Sequence, residues 1–192
     1  TVQTLNDRAR TDLILEGRVS VDGVRLHDGT LAGIGDAIIA RLNDRRLRLG
    51  RGWVKNGDRF QVTAHHDDGS LTVRRADTRA RGRLILPAAY VAANVELGYA
   101  VTAHRAQGST FDTAHAIITP EGMTRDVLYV SLTRGRAANH AYIITDQPHL
   151  EEHQYPAIAP DAAAILRGIL GRVGAELSAT ETIRAEQDRV SS

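Results

Sequence analysis

The chain has 192 residues, a formal net charge of +1 and 42% hydrophobic residues, which is typical of an ordinary globular protein. No apolar run approaches the roughly 20 residues needed to cross a bilayer, and the absence of cysteine excludes disulfides and thiolate metal sites. The balanced charge gives no basic excess of the kind that marks many nucleic-acid-binding domains. Because no secretory signal pattern is present, we expect a cytoplasmic protein.

Residues 5–15 repeat apolar side chains at near-helical spacing, which predicts an amphipathic helix. The apolar run at residues 37–40 then predicts a strand over about 36–42 that is buried on both faces.

Residues 50–97 consist of short β-like segments separated by turn signals. We predict strands over 59–64, 70–75 and 83–86, with a hairpin turn at Asp68-Gly69. The adjacent histidines at 65 and 66 and aspartates at 67 and 68 could suggest a metal site, but an exposed polar turn explains them better. The segment therefore predicts a small antiparallel β module.

From residue 99 the pattern changes to alternating strands and helices, with strands over 99–101, 114–119 and 140–145 and helices over 103–107 and 124–134. Such alternation predicts a parallel sheet covered on both faces. Beyond it, prolines indicate a linker over 147–161. A Ser-x-x-Glu capping box at 178–181 predicts a last helix over about 179–190.

Two polar clusters are candidates for chemistry. The first runs from Tyr99 to Thr110, where Thr102 can cap a turn at the carboxyl end of the predicted strand, an edge at which α/β sheets bind ligands. A capped surface helix explains it equally well. The second, Arg134-Gly135-Arg136, follows an apolar helical stretch. Its arginines could be solvated cations favoured by the helix dipole, or could include one that contacts a γ-phosphate.

Residues 101–110 (VTAHRAQGST) resemble the fifth motif of superfamily one DNA helicases, and residues 128–136 (LYVSLTRGR) resemble the sixth, in the family's order. Residues 35–44 and 53–58 are similar to the stretch by which RecD-like helicases enter a small SH3-like inserted domain. Residues 43–47 (NDRRL) and 133–136 (TRGR) look most like the corresponding sequences in the helicase part of actinobacterial TraA or MobF-type conjugative relaxases. The resemblance covers residues 1–150 closely and the tail loosely.

The resemblance implies a RecA-like α/β domain, the second motor domain, formed by residues 1–55 and 97–150. It is interrupted by an SH3-like β-barrel module at 56–96 and followed by a linker and C-terminal helices at 151–192. Its role would be to couple ATP hydrolysis to movement on single-stranded DNA. We expect no activity from the chain alone, because no Gly-x-x-x-x-Gly-Lys-[Ser/Thr] loop is present. That loop, and most contacts to ATP and Mg²⁺, are expected in a first motor domain upstream of Thr1.

Carried over by position, the motifs imply a role for individual residues. Arg134 matches the arginine finger that contacts the γ-phosphate. Gln107, Gly108 and Thr110 match nucleotide-facing positions, and Thr102 and His104 match positions that face single-stranded DNA. Thr110 departs from the family, in which many members have a carboxylate near the ribose. Arg136 falls where relatives often have a second basic residue and is a weaker candidate contact to phosphate or DNA. Asn43 and Trp53 are further candidate contacts to DNA, although ordinary packing explains Trp53 at least as well.

The expected partners are single-stranded DNA and the first RecA-like domain, with a conjugative coupling protein as a further candidate and no membrane. Two other classes of function stay open. The chain could be a partner-binding module read as an export signal, or a degenerate, purely structural helicase repeat. Intact fifth and sixth motifs favour retained ATP coupling, since a decayed copy has no reason to keep Arg134.

Overall fold

The computed structural model describes residues 2–50, 52–76, 82–145 and 161–172. The chain divides into two compact units, 1–105 and 106–192. No helix among the described residues has the length and apolar character that a membrane span requires.

The first unit begins with helix α1 (Val2–Leu15) and the two-stranded pair β1 (Val24–Arg25) and β2 (Leu31–Ala32). Four strands follow: β3 (Ala37–Ala40), β4 (Asp44–Leu49), β5 (Gly52–Val54) and β6 (Arg59–His65). Then come β7 (Leu71–Arg75), β8 (Leu84–Leu86), helix α2 (Ala88–Asn94) and β9 (Val95–Leu97). The predicted first helix, the strand near 36–42 and the three strands of the β module are confirmed. Helix α2 was not predicted.

A five-stranded sheet in the order β8-β7-β6-β3-β9 forms the centre of this unit, and every neighbouring pair is antiparallel. Alternate side chains of β6 and β7 are buried, including Phe60, Val62, Leu71 and Val73, and Ile38 of β3 packs in the same cluster. Because apolar area removed from water contributes about 25 cal/mol per Å², this cluster is the main source of stability in the first unit.

The position of β3 corrects one expectation. Residues 1–55 were expected to belong to a RecA-like parallel sheet, whereas β3 lies between β6 and β9 in the antiparallel sheet. Its predicted burial on both faces is confirmed, because the consecutive residues 38–40 are all buried. A run of four apolar residues is compatible with either sheet type, and here the partners are brought in by distant parts of the chain. The SH3-like barrel is not confirmed: within the part of the chain that the structure describes, the sheet stays open, with β8 and β9 at its edges. The domain boundaries stay a prediction.

Helix α3 (Ala103–Ala106) lies at the boundary between the units. The second unit contains β10 (Phe111–Ile118), α4 (Arg125–Leu132), β11 (Gly135–Ile143) and α5 (Ala162–Leu170). Strands β10 and β11 pair in parallel, so the second unit contains a β-α-β crossover and the chain is a mixed α/β protein, as predicted. A second buried cluster joins β10, α4 and α5 through Ile118, Leu128, Ile165 and Ile169.

After residue 98, one predicted strand is absent, and two further predictions fall on residues that the structure does not describe or describes only in small part. The predicted strand over 99–101 is wrong, because the structure has no strand there and β9 ends at Leu97. The linker over 147–161 lies almost wholly outside the described residues. The capping box at 178–181 and the last helix lie outside them entirely.

Candidate functional site

Arg134 lies immediately after the C-terminal end of α4, where its side chain folds back on the helix. Its Nε donates to the carbonyl of Val130 at 3.0 Å, and its Nη2 donates to the hydroxyl of Thr133 at 2.8 Å. The last carbonyls of a helix have no partner within the helix and carry partial negative charge, which a guanidinium stabilises. The candidate arginine finger is therefore held in a defined position by weak, replaceable contacts.

The second half of the fifth motif lies beside Arg134. The N–H of Phe111 donates to the carbonyl of Arg134 at 2.9 Å, and Phe111 pairs with Gly135 at the start of both parallel strands. Residues 108–110 and 134–136 therefore meet at the amino-terminal edge of the β10–β11 pair. The carboxyl-edge argument made from the sequence is wrong, because it depended on a strand over 99–101 that does not form.

The predicted nucleotide-facing residues before β10 are open to solvent. Gln107, Gly108 and Thr110 are all exposed. Gly108 has a φ of +80°, in the left-handed region that favours glycine. Among the described residues, apart from the glycine and its chain neighbours, no heavy atom lies within 4 Å of where a Cβ would stand. The described structure leaves open space beside this backbone, while a contact with nucleotide stays a prediction.

Arg136 is oriented by a surface ion pair. Its Nε lies 2.7 Å and its Nη2 lies 2.6 Å from Oδ1 of Asp112, and both side chains are well exposed. An exposed pair of this kind contributes little to stability because water and salt screen it. Arg136 is therefore available to an anion that competes with Asp112.

Asn139 is a positioning residue that the sequence did not reveal. Its Oδ1 accepts from the N–H of Gly135 at 2.7 Å, and its Nδ2 donates to the carbonyl of Gly135 at 2.8 Å. A Cβ on Gly135 would stand 2.0 Å from the carbonyl oxygen of Ala138, so only glycine fits between Arg134 and Arg136. The glycine in the Arg134-Gly135-Arg136 sequence is therefore required for steric reasons.

The first half of the fifth motif belongs to the first unit. Thr102 Oγ1 accepts from the N–H of Arg105 at 3.4 Å, which gives Thr102 the capping role predicted for it. The side chains of Thr102 and His104 are exposed. They are accessible to a ligand, while their role in DNA binding stays a prediction.

A buried polar side chain holds the segment that leads into this motif. Oδ1 of Asn6, on α1, accepts from the N–H groups of Tyr99 and Ala100 at 3.0 Å and 2.8 Å, and its Nδ2 donates to the carbonyl of Ala100 at 3.2 Å. Sequence analysis missed Asn6, because a lone asparagine in a helix gives no signal of a partner more than 90 residues away.

Asp36 completes this buried network. Its carboxylate is fully buried and accepts from Arg10 Nε at 2.9 Å, from the N–H of Gly33 at 2.7 Å and from the hydroxyl of Tyr99. Burial, followed by the hydrogen bond to Asp36, raises the pKa of the Tyr99 phenol above its ordinary value. A buried charge of this kind is tolerated only when it is paired and hydrogen-bonded, so α1 and the residue-99 segment are held in one arrangement.

The β4–β5 hairpin carries the two remaining predicted residues. Asn43 Oδ1 accepts from the N–H of Asn56 at 2.8 Å, which gives that oxygen a structural role. The ring of Trp53 is partly buried and lies 5.5 Å from both the Arg45 guanidinium and the Lys55 ammonium. An aromatic ring flanked by cations suits stacking with a base and contact with its phosphate.

The described residues contain no group of three His, Asp or Glu side chains that could hold a metal ion.

Comparison with known proteins finds a family similarity in the segment that carries most of these residues. Residues 97–144 match the family of UvrD-like helicase C-terminal domains. This helicase segment, the name used below for residues 97–144, includes both motifs. The match supports a superfamily one helicase C-terminal domain and does not extend to Asn43 or Trp53.

Two proteins of Mycobacterium tuberculosis, from strains CDC 1551 / Oshkosh and ATCC 25618 / H37Rv, are also similar to the chain. Both are described only as uncharacterized proteins. Each is 34% identical over 94 residues, which is 47% of this chain and 51% of the relative. The chain thus matches about half the length of these relatives.

Proposed function

We propose that this chain is the second motor half of an ATP-dependent DNA helicase or translocase that acts in the cytoplasm as part of a conjugative relaxase-helicase. The observation that carries the proposal is the position of Arg134 beside residues 108–110 within the helicase segment. The proposal is tested by measuring ATP hydrolysis, which should require both single-stranded DNA and Arg134.

The residues at the edge of β10–β11 have the chemistry that a phosphoryl-transfer site requires. Bound Mg-ATP supplies a γ-phosphate whose charge must be stabilised during hydrolysis. The guanidinium of Arg134 is held by a carbonyl and a hydroxyl, two neutral acceptors that a phosphate outcompetes. Gly108 allows backbone approach, and Gln107, Thr110 and Arg136 offer exposed polar groups around it.

Movement on DNA would follow from closure and opening of this domain against a first RecA-like domain, which binds most of the nucleotide. Thr102, His104, Asn43 and Trp53 are the proposed contacts to the strand, through polar groups and one aromatic ring. A conjugative coupling protein is a further proposed partner.

We expect the chain to bind single-stranded DNA weakly, with an affinity that falls as salt is raised, because the contacts are polar and directed at the backbone. Replacing Thr102 and His104 together by alanine should weaken binding by about tenfold, or roughly 1.4 kcal/mol. Fluorescence anisotropy of a labelled oligothymidylate measures the change.

The chain contains a matched control, since the same tripeptide, Thr-Ala-His, recurs at residues 113–115 with both polar side chains exposed. The double alanine variant of Thr113 and His115 should bind as the unmodified chain does. Equal losses in the two double variants would assign the effect to surface composition and count against the proposed DNA contact.

Trp53 provides a second test, because it is the only tryptophan. Stacking of a base on its ring should quench the tryptophan fluorescence by roughly half when oligothymidylate saturates the chain, since base–aromatic stacking brings the two π systems into contact. The control variant Trp53→Phe keeps a stacking ring and removes the signal. If anisotropy reports binding while the fluorescence stays constant, Trp53 does not contact the strand.

A further inference from the structure

Glu96 is the centre of a cluster of cationic side chains in the first unit. It lies on edge strand β9, where it pairs with Ile39 of β3. One carboxylate oxygen, Oε1, is 3.0 Å from Arg41 Nε, and the other, Oε2, accepts from Arg105 Nη1. The ring nitrogen Nδ1 of His27 lies 3.7 Å from Oε1. We call His27, Arg41, Glu96 and Arg105 the Glu96 cluster.

The cluster holds more positive charge than its carboxylate neutralises. Two guanidiniums face one carboxylate, which leaves a formal charge of about +1 when His27 is neutral. The Nε of Arg41 is buried and makes no well-aligned hydrogen bond despite its 3.0 Å distance from Glu96. Each guanidinium has five N–H donors, and the Arg41 and Arg105 side chains remain 31% and 34% exposed. Donors are therefore left for an anion from solvent.

The arginines of the cluster come from the two segments proposed to contact DNA. Arg105 lies on α3 directly after His104, and its N–H is bound by Thr102. Arg41 comes two residues before Asn43, where the chain enters the β4–β5 hairpin. A strand that contacts both segments would bring a backbone phosphate to the residues that connect them.

We propose that Arg41 and Arg105 bind a backbone phosphate of single-stranded DNA, while Glu96 holds both guanidiniums in place when no strand is bound. The inference rests on the proposed function, whose DNA interface it extends. Guanidinium forks match phosphate oxygens, and a phosphate offers more acceptor oxygens than the carboxylate that it displaces. Glu96 both orients the arginines and competes with the ligand.

The test compares the chain with its Arg41→Ala/Arg105→Ala variant in anisotropy titrations with labelled oligothymidylate at several salt concentrations. We expect about tenfold weaker binding at low salt and a salt dependence shallower by roughly 0.7 in log–log slope, the change for one lost phosphate contact to a single strand. The control Arg8→Ala/Arg18→Ala also removes two cations, each paired with one exposed carboxylate. It should change neither quantity.

Glu96→Gln separates ligand contact from structural support, because it removes the competing charge and keeps an acceptor oxygen. We expect about threefold tighter binding. A loss as large as that of the double arginine variant would identify the cluster as structural and overturn the proposal, as would equality of the two double arginine variants.

Inorganic phosphate at constant ionic strength is the second probe. Phosphate should displace oligothymidylate more readily from the unmodified chain than from the Arg41→Ala/Arg105→Ala variant, because a free phosphate and a DNA phosphate use the same guanidinium donors. Equal displacement from the two proteins would overturn the role of the cluster. If the unmodified chain does not bind oligothymidylate, both the proposed DNA interface and the role of the Glu96 cluster are contradicted. Binding that is insensitive to Arg41 and Arg105 overturns only the role of the cluster.

Discussion

Replacing Arg134 by alanine is expected to lower DNA-stimulated ATP hydrolysis by at least about 100-fold in a protein that contains both motor domains. An arginine that reaches the γ-phosphate stabilises charge in the transition state, and in related chemistry such an arginine is worth about 10³ to 10⁵ in rate. ATP binding should be largely kept, since the proposed function assigns most contacts to the nucleotide to the first motor domain. Steady-state hydrolysis and binding of a fluorescent ATP analogue measure the two quantities.

Arg125→Ala is the matched control for this experiment. Arg125 is the first residue of α4, the helix that Arg134 follows, and its side chain is about half exposed. Its contact with the Asp126 carboxylate is at the 4.0 Å limit of an ion pair. Hydrolysis by this variant should remain normal. Because Arg134 also binds the last turn of α4, thermal unfolding of both variants must be compared. Unchanged turnover in a well-folded Arg134→Ala protein would contradict the arginine-finger assignment.

Replacing Asp36 by alanine should have the largest effect on stability, with a loss of about 3–5 kcal/mol in the free energy of unfolding. Asp36 is fully buried, and its partner Arg10 is only 11% exposed, so the variant leaves an uncompensated guanidinium inside the protein. The N–H of Gly33 and the hydroxyl of Tyr99 lose their acceptor as well. Urea unfolding, followed by circular dichroism, measures the change.

Asp12→Ala is the control for charge removal at the surface, because the side chains of Asp12 and its partner Arg8 are 52% and 79% exposed. Its effect on unfolding should be much smaller, since exposed ion pairs contribute little. Losses of similar size in the two variants would show that the buried network does not support the fold. A smaller loss for Asp36→Asn than for Asp36→Ala is expected, because asparagine retains one acceptor oxygen for Tyr99 or Gly33.

Local chemistry in the sequence was sufficient for several elements. Helical spacing predicted α1, alternation and an Asp-Gly turn predicted the β6–β7 hairpin, and an apolar strand, a helix and a second strand predicted the β10–α4–β11 crossover. These features depend on residues close together in the chain, for which periodicity and turn chemistry are direct signals. The motif residues around Arg134 were selected instead by the resemblance of residues 101–110 and 128–136 to two helicase motifs.

Long-range contacts decided what the sequence could not. The antiparallel pairing of β3 depends on strands that arrive later in the chain, and an isolated apolar run carries no information about its partners. The strand expected over 99–101 is absent, and Asn6 binds that backbone instead. The roles of Asn6, Asp36 and the Glu96 cluster appear only when segments far apart in sequence meet.

The sequence alone therefore predicted the type of most helices and strands, and it identified the candidate residues for contact with phosphate and DNA. The tertiary structure decided which edge of the parallel pair carries Arg134, which side chains hold each motif in place, and which cations share a carboxylate. The physical reason is that secondary structure follows local propensity and periodicity, whereas a buried ion pair or hydrogen-bond network exists only after the chain has folded around it.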